Sequence, residues 1–226
     1  MNNYYNKITK TLNIPYNYKK DLKNIPEDTE IIIFEANEEL KISSLFDRKI
    51  ENLPKSVKYL TIGDCFNQSL DNLTISESRL EYLFLGCLFD KPVNLLPDSL
   101  THLIFGNYFN QQVDHLPNFL IHLTFGNYFN QSVNLLPDSI THLTFGCKFN
   151  KKINNLPASL TNLIFGENFN QSINNLPAPL VNLSIGIHFR QIVNNLPNEL
   201  KIIKIRTNEQ HKLIKKIPFD CIVSVK

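Results

Sequence analysis

The chain has 226 residues, of which 42% are hydrophobic, and it contains 16 Phe but no Trp. This composition supplies enough apolar side chains for a packed interior and excludes a generally disordered protein. The formal net charge of +2 is too small to indicate nucleic-acid or membrane-surface binding, so we expect neither partner.

The first predicted unit is a basic N-terminal segment, residues 1–24, with five lysines and one aspartate. It lacks the apolar core of about 7–15 residues that a signal peptide needs, and the chain has no apolar run of about 18 residues. The four cysteines have no metal-ligand spacing, and we expect them to be reduced thiols. We therefore expect a cytoplasmic protein without metal ions or other cofactors.

Residues 25–206 are predicted to be a stack of repeats, because all glycines of the chain fall in one register. Their spacing is 23 residues once and 20 residues five times. A phenylalanine follows each glycine three residues later, prolines form a third column, and one unit has the consensus LPxSLTHLxFGxxFNQxVNN. The glycines are Gly63, Gly86, Gly106, Gly126, Gly146, Gly166 and Gly186.

Each unit is predicted to contain one short strand. Leu103 and Phe105 are two residues apart, which places both on one face of a strand, with His102 and Ile104 on the other. The remaining residues of a unit leave no room for a two-turn helix before the next proline. Since one unit cannot bury its own apolar residues, units must stack with their strands side by side, about 4.8 Å apart. The fold class is therefore a mainly β repeat solenoid of about nine rungs, with one parallel sheet and irregular or 3-10 connections.

Three side-chain columns are predicted to hold the rungs together. Stacked phenylalanines would form an aromatic spine through edge contacts, and the glycines indicate a positive φ or a close approach of the chain. The asparagine after each phenylalanine would satisfy backbone groups from one rung to the next, with Asp90 and Arg190 breaking this ladder. These asparagines are Asn67, Asn110, Asn130, Asn150 and Asn170.

The repeat pattern is irregular near both ends. Pro26 and Phe46 are 20 residues apart, whereas the corresponding pair in a regular unit is 12 apart. Three extra residues between Leu70 and Leu80 are expected to form a loop at about 74–76. Residues 207–226 are predicted to be a C-terminal capping segment, in which "IPFDCIVSVK" restores Pro218 and a strand-like run.

The stretch "FGNYFNQSVNLLPDSITHLTFG" resembles the FNIP repeat, and the resemblance covers about residues 46–206. FNIP repeats occur in many copies in slime-mould proteins and in giant viruses of amoebae, and they are distantly akin to leucine-rich repeats. The resemblance implies a leucine-rich-repeat-like fold and, for a viral protein, a location in the host-cell cytoplasm. The Ile-Pro that ends the family motif varies here, as in "FNQSV", which alters surface detail only.

Relatives in this family often carry an F-box before the repeats, which makes them substrate receptors of a ubiquitin ligase. The residues before the first rung are too few for such a domain, so we expect none here, and the ubiquitin role does not carry over by default. The alternative function that the resemblance suggests is a substrate-receptor-like or decoy component of a ubiquitin-ligase pathway.

Catalytic motifs are not found in the sequence, and we expect a protein that is not an enzyme. There is no GxGxxG or P-loop, no HExxH, no nucleophile elbow and no Cys-x-x-Cys. His102, His122 and His142 recur at the same position of successive units, which leaves two interpretations open. They are either a metal-binding or pH-sensing ladder, or an exposed residue that was copied with the repeat.

The outward positions of the strands are the predicted functional surface. They carry small, mildly apolar or polar side chains, and a solenoid can present such a face as an extended recognition platform. We expect a monomer that binds a protein partner there, although the identity of that partner is not encoded in the pattern. The candidate partner-binding residues are His102, Ile104, His122, Thr124, His142, Thr144, Asn162, Ile164, Asn182 and Ser184.

Overall fold

The computed structural model describes residues 1–73 and 77–225 of the chain. In this part of the chain twelve strands form one sheet, and their order in the sheet is their order in the sequence. The strands are β1 Tyr5–Asn6, β2 Thr11–Ile14, β3 Ile31–Phe34, β4 Tyr59–Thr61, β5 Tyr82–Phe84, β6 His102–Ile104, β7 His122–Thr124, β8 His142–Thr144, β9 Asn162–Ile164, β10 Asn182–Ser184, β11 Ile202–Ile205 and β12 Ile222–Val225. Helix α1 spans Asn208–Leu213, and 3-10 helices span Asn2–Tyr4 and Asp71–Leu73.

The strands from β2 to β12 are all parallel, whereas β1 pairs antiparallel with β2. This is the predicted solenoid with one parallel sheet, but it has eleven parallel rungs rather than about nine. The two additional strands lie outside the predicted repeat range 25–206: β2 precedes it and β12 follows it. Both lack the glycine and the Phe-Asn pair that identify a regular unit. The strand-like run in "IPFDCIVSVK" predicted β12, whereas β2 was not predicted.

The sheet forms because each strand alternates a buried and an open position. In the regular strands the central leucine points into the solenoid and is buried, while the residues before and after it lie on the opposite, open face. Register pairs leucine with leucine, as in Leu103 with Leu123 and Leu123 with Leu143. Burial of these aligned columns requires the neighbouring rungs, which is why no single unit could fold alone.

The prolines mark a tight turn before each strand. The Leu100 N–H donates to the Pro97 carbonyl at 3.1 Å, and Leu120 bonds to Pro117 in the same way at 3.2 Å. The turn leads directly into β6 and β7, so the strand begins at the same point in every rung. Within the described residues the regular connections between β5 and β11 contain turns and bends but no helix.

Two columns of phenylalanine fill the interior. Rings of the first column, from Phe46 to Phe189, have centroids 5.9–6.3 Å apart and interplanar angles of at most 11°. A second column, Phe105 to Phe165, repeats at 5.5–5.6 Å, and its rings lie 3.7–3.8 Å from those of the first. The predicted spine is therefore present, but its rings are stacked in parallel rather than joined by their edges.

The glycine column is a line of close backbone contact between rungs. A Cβ added to Gly146 would lie 2.2 Å from the Gly126 carbonyl oxygen, and one added to Gly126 would lie 2.0 Å from the Gly106 oxygen. No glycine has a positive φ among the described residues. Of the two predicted reasons for this column, the close approach of the chain is correct and the positive φ is wrong.

The residues after the first phenylalanine column form a hydrogen-bonded ladder. The N–H of Asn130 donates to Asn110 Oδ1 at 2.9 Å, and the N–H of Asn150 donates to Asn130 Oδ1 at 3.0 Å. The Gln131 amide also donates to Asn110 Oδ1, at 3.2 Å. Each rung thus holds the backbone of the next, although these side chains are exposed or half-buried rather than enclosed.

The prediction that Asp90 breaks this ladder is wrong. Its N–H donates to Asn67 Oδ1 at 3.0 Å, and its carboxylate accepts from the Asn110 N–H at 2.9 Å. A carboxylate oxygen accepts as well as an amide oxygen does, so the ladder continues through this rung. Arg190 ends the ladder, because its N–H donates to Asn170 but its guanidinium instead donates to the Phe189 carbonyl at 2.8 Å.

The two ends of the stack are closed differently. The antiparallel strand β1 covers part of the N-terminal edge. At the other end, the fully buried Gln210 of α1 donates to the Gly186 carbonyl at 2.7 Å, within the predicted capping segment 207–226. Thr207 and Gln210 form a capping box that starts α1.

The extra residues predicted between Pro26 and Phe46 contain an isolated antiparallel β-bridge, in which the N–H of Asn37 donates to the Ile42 carbonyl at 2.7 Å. The loop expected at about 74–76 lies outside the described residues.

Replacing Gly146 with alanine should lower the free energy of unfolding by about 1–3 kcal/mol or more, because the new methyl group would overlap the Gly126 carbonyl. Chemical denaturation followed by circular dichroism measures this change. Lys148→Ala in the same turn is exposed and should stay within about 0.5 kcal/mol. Equal stability of wild type and Gly146→Ala would contradict the close contact.

Replacing Asn130 with alanine should cost about 0.5–1.5 kcal/mol, because the Asn150 N–H loses its acceptor. Asn130→Asp should retain most of this stability, as Asp90 does the same task naturally. The control is Asn127→Ala, whose exposed side chain makes no hydrogen bond within residues 1–73 and 77–225. Equal losses for the alanine and aspartate variants at position 130 would show that the ladder acceptor is unimportant.

Candidate interaction surface

The open face of the sheet carries two parallel columns of side chains. We call the first the His column, and its members occupy the first position of each strand from β4 to β11. It contains Tyr59, Tyr82, His102, His122, His142, Asn162, Asn182 and Ile202. The second, which we call the Thr column, occupies the third position and contains Thr61, Phe84, Ile104, Thr124, Thr144, Ile164, Ser184 and Lys204.

All ten candidate residues lie in these two columns. Nine of them are half-buried or exposed. Ile164 is the most exposed of these, with 45% of its surface accessible to solvent, and the three histidines are half-buried. Ser184 is the exception, with only 9% accessible, because it is a small residue between Ile164 and Lys204 in the Thr column. Its position on the face is as predicted, but its side chain forms the floor of a depression rather than an exposed contact.

The His column is a continuous stack of rings. Tyr59 and Tyr82 stack with centroids 4.5 Å apart, and Tyr82 stacks on His102 at 4.1 Å. The stack continues from His102 to His122 at 4.3 Å and from His122 to His142 at 4.1 Å. Five aromatic rings therefore form one half-exposed row along the face.

Hydrogen bonds extend this row beyond the rings in a single direction. Asn182 donates from Nδ2 to Asn162 Oδ1 at 2.6 Å, and Asn162 Nδ2 contacts His142 Nε2. Because an amide nitrogen can only donate, His142 Nε2 is the acceptor and Nδ1 carries the proton. That Nδ1 lies 2.8 Å from the hydroxyl of Thr141, which completes the row.

The environment of the stack disfavours charge on two of its histidines. Burial lowers the pKa of His102 below its ordinary value of 6.5, and the nearby His142 lowers it further. Burial likewise lowers the pKa of His122, with additional contributions from His142 and His102. Glu81 acts weakly in the opposite sense on His102. The imidazoles of His102 and His122 therefore stay neutral to lower pH than an ordinary histidine, because their pKa values are lowered, and neutral rings suit a surface that stacks.

The geometry does not favour a shared metal ion between the histidines. Stacked imidazoles direct their nitrogen lone pairs along parallel planes, whereas ligands of one ion must converge on it. Within residues 1–73 and 77–225, no three His, Cys, Asp or Glu side chains are grouped so that they could hold a metal ion. The same part of the chain contains no helix long and apolar enough to cross a membrane.

Two depressions lie between the columns, one near each end of the face. One, of about 220 Å³, is lined by residues that include Tyr82 and Phe84, and the other, of about 580 Å³, by residues that include Ser184, Lys204 and Arg206. Only Ser184 of these five was among the predicted residues.

The sequence contained a signal for the residues that were missed. Tyr59 and Tyr82 precede Gly63 and Gly86 by four residues, just as His102 precedes Gly106, so they share its column. Lys204 lies in β11 and Arg206 follows its last residue, in a unit without glycine, so only alignment of "LKIIKIR" with "LTHLIFG" reveals their place.

Wild type should lose more stability than the double variant His102→Asn and His122→Asn as the pH falls from about 7.5 to about 5. The folded pKa values are lowered, so the unfolded chain binds more protons, and destabilisation begins as the pH falls through about 6.5. It levels off below the lowered folded pKa values.

This pH effect is measured as the difference between the unfolding free energies of the two proteins at each pH, which removes the contribution of carboxyl groups. Asparagine is a suitable replacement because the column already contains it at position 162. The control is His115→Asn, which replaces an exposed histidine outside the column. Parallel pH profiles for wild type and the double variant would contradict the burial of these rings.

Comparison with known proteins agrees with this architecture. No curated protein matches the chain in sequence. A solved structure described as "The crystal structure of CroV588 a novel circular LRR protein structure", from a giant virus, is 37% identical with a TM-score of 0.80. The match covers 95% of this chain and 33% of that one, so the chain spans about a third of its length. The FNIP Repeat model matches residues 46–88, 89–116, 112–148 and 149–188. The chain belongs to the FNIP repeat family.

Proposed function

We propose that the open face of the sheet is a binding surface for a partner protein. The observation that carries this proposal is the contrast between the interior and the face. The glycine, leucine and phenylalanine columns repeat with little change, whereas the two face columns change residue type along the stack. Folding needs the constant columns, so the variable ones are where specificity can be encoded.

The chemistry of the face suits a protein surface. It combines half-exposed aromatic and aliphatic groups, such as Tyr82, Phe84 and Ile104, with hydroxyl and amide groups further along the stack. Protein interfaces have this mixture of apolar contact and hydrogen bonding, with aromatic residues enriched near their centre. The row of strands offers such groups at regular spacing over many rungs.

A binding role is also better supported than catalysis. Catalytic groups must converge on one reacting atom, with a nucleophile or base in reach of its partner. The titratable groups of the face instead stand in a row, with stacked rings and parallel planes. Repeat solenoids of the FNIP and leucine-rich-repeat type are typically interaction scaffolds without enzymatic activity.

Affinity capture from an amoebal lysate tests the proposal with two matched variants. The face variant carries Thr124→Arg and Thr144→Arg, which place long charged side chains in the middle of the open face. The control variant carries Asn154→Arg and Asn175→Arg, at exposed positions in the connecting segments. Both variants add the same charge, so non-specific electrostatic effects are equal.

We expect proteins captured by wild type and by the control variant to be lost from the face variant, as measured by quantitative mass spectrometry. Circular dichroism must show that both variants melt like wild type. If the face variant recovers the same proteins in the same amounts, the open face is not the binding surface.

A further inference from the structure

The larger of the two depressions between the columns, near the C-terminal end of the open face, has the features of a binding site for an acidic side chain. It lies between the His column and the Thr column, where β8 to β11 pass side by side, and has a volume of about 580 Å³. Ser184 creates it, because this small residue follows Ile164 and precedes Lys204 in the Thr column. The surface is therefore recessed at the rung of Ser184, between the two larger side chains on either side of it.

Two cations border the depression without an acidic partner. Lys204 and Arg206 are exposed, and within residues 1–73 and 77–225 neither forms an ion pair. None of the residues that line the depression is acidic. Glu167 borders a separate depression that Arg206 also reaches, but it forms no ion pair with that arginine. A carboxylate that entered here would contact two positive charges, and the N–H groups of both side chains could donate hydrogen bonds to it.

The backbone that carries these cations is firmly held. The Arg206 N–H donates to Gln210 Oε1 at 2.7 Å, and Gln210 Nε2 donates to the Gly186 carbonyl at 2.7 Å. Gln210 is fully buried, and it starts α1 through its capping box with Thr207. The end of β11 is thus tied to the preceding rung, which limits the backbone entropy lost when a ligand binds.

The amides beside the cations leave one acceptor available. Asn182 donates to Asn162, and Asn162 donates to His142, so each hydrogen bond in this row points towards the histidines. Asn182 Oδ1 consequently has no hydrogen-bond donor within the described part of the chain. An acceptor of this kind, next to two cations, suits the N–H of a peptide backbone.

We propose that this depression binds one Asp or Glu side chain of an extended segment of the partner protein. The carboxylate contacts Lys204 and Arg206, a backbone N–H of the segment donates to Asn182 Oδ1, and a neighbouring apolar side chain packs on Ile164 and Ile202. This inference rests on the proposed function, since it assigns a partner chemistry to one part of the same face.

A random heptapeptide library displayed on phage tests the chemistry with the intact chain as the immobilised target. We expect selected peptides to share Asp or Glu at one position. A synthetic copy of the strongest binder should bind wild type at least about tenfold more tightly than a copy with Gln or Asn in place of that acid. Selection without enrichment of acidic residues would overturn the proposal.

Two variants locate the binding of the synthetic peptide. Ser184→Ile fills the depression without removing charge, with a residue that the Thr column already contains at Ile104 and Ile164. The double variant Lys204→Gln and Arg206→Gln removes the charge without filling the depression. Each should lower the affinity of the protein for the synthetic peptide by at least about tenfold, as measured by fluorescence anisotropy.

The matched controls are Ser159→Ile, which makes the same substitution at an exposed position in the turn before β9, and Lys216→Gln, which removes an exposed charge; both positions lie outside the depression. Both should leave the affinity within about twofold. Unchanged binding to Ser184→Ile or to the Gln double variant, in proteins with wild-type melting curves, would overturn the proposal. So would displacement of the peptide by single-stranded oligodeoxythymidine at equal concentration, since that result would identify a phosphate site.

This outcome is separable from that of the lysate capture. If the central face variant loses its captured proteins while the library yields no acidic peptide, the open face binds a partner but this depression does not take a carboxylate. If the central face variant loses nothing and the library also yields no acidic peptide, both proposals fail.

Discussion

Close contact between successive glycine backbones allows the regular rungs to lie one strand spacing apart, and the other columns depend on that spacing. The Cβ of any other residue would overlap the carbonyl of the rung before it, as at Gly146 over Gly126. With the backbones this close, the phenylalanine rings stack in parallel about 6 Å apart and the Asn130 side chain reaches the next N–H. A wider separation at the glycines would therefore weaken aromatic packing and hydrogen bonding together.

The regular part of the fold was predictable because its physics repeats. Leu103 and Phe105 two residues apart define a strand, and the recurrence of the unit implies a parallel stack. Strand β12 was anticipated from the strand-like run in "IPFDCIVSVK". Strand β2 was missed because its unit lacks the glycine and the Phe-Asn pair, although Leu12 and Ile14 alternate with polar residues and are buried. The error at Asp90 has another cause, since residue identity was taken as the criterion where only an oxygen acceptor is required.

The candidate surface was predicted in position but not in form. Side chains alternate between the two faces of a strand, so His122 and Thr124 lie on the face opposite the buried Leu123. Alternation says nothing of the relative size of neighbours, and so it could not reveal that Ser184 lies sunken between Ile164 and Lys204. Nor could it show that the rings from Tyr59 to His142 stack, because stacking depends on the rotamers that all five side chains adopt together.

The direction of the asparagine ladder bears on the order in which the protein can assemble during synthesis. In each pair, the earlier rung supplies the side-chain acceptor and the later rung supplies the N–H, as for Asn110 and Asn130. A chain that emerges from the ribosome N-terminus first therefore always presents a finished acceptor to the rung that follows. At the position of this ladder, the growing end exposes a side-chain oxygen rather than an unpaired N–H, and an unsatisfied acceptor is the more easily tolerated of the two.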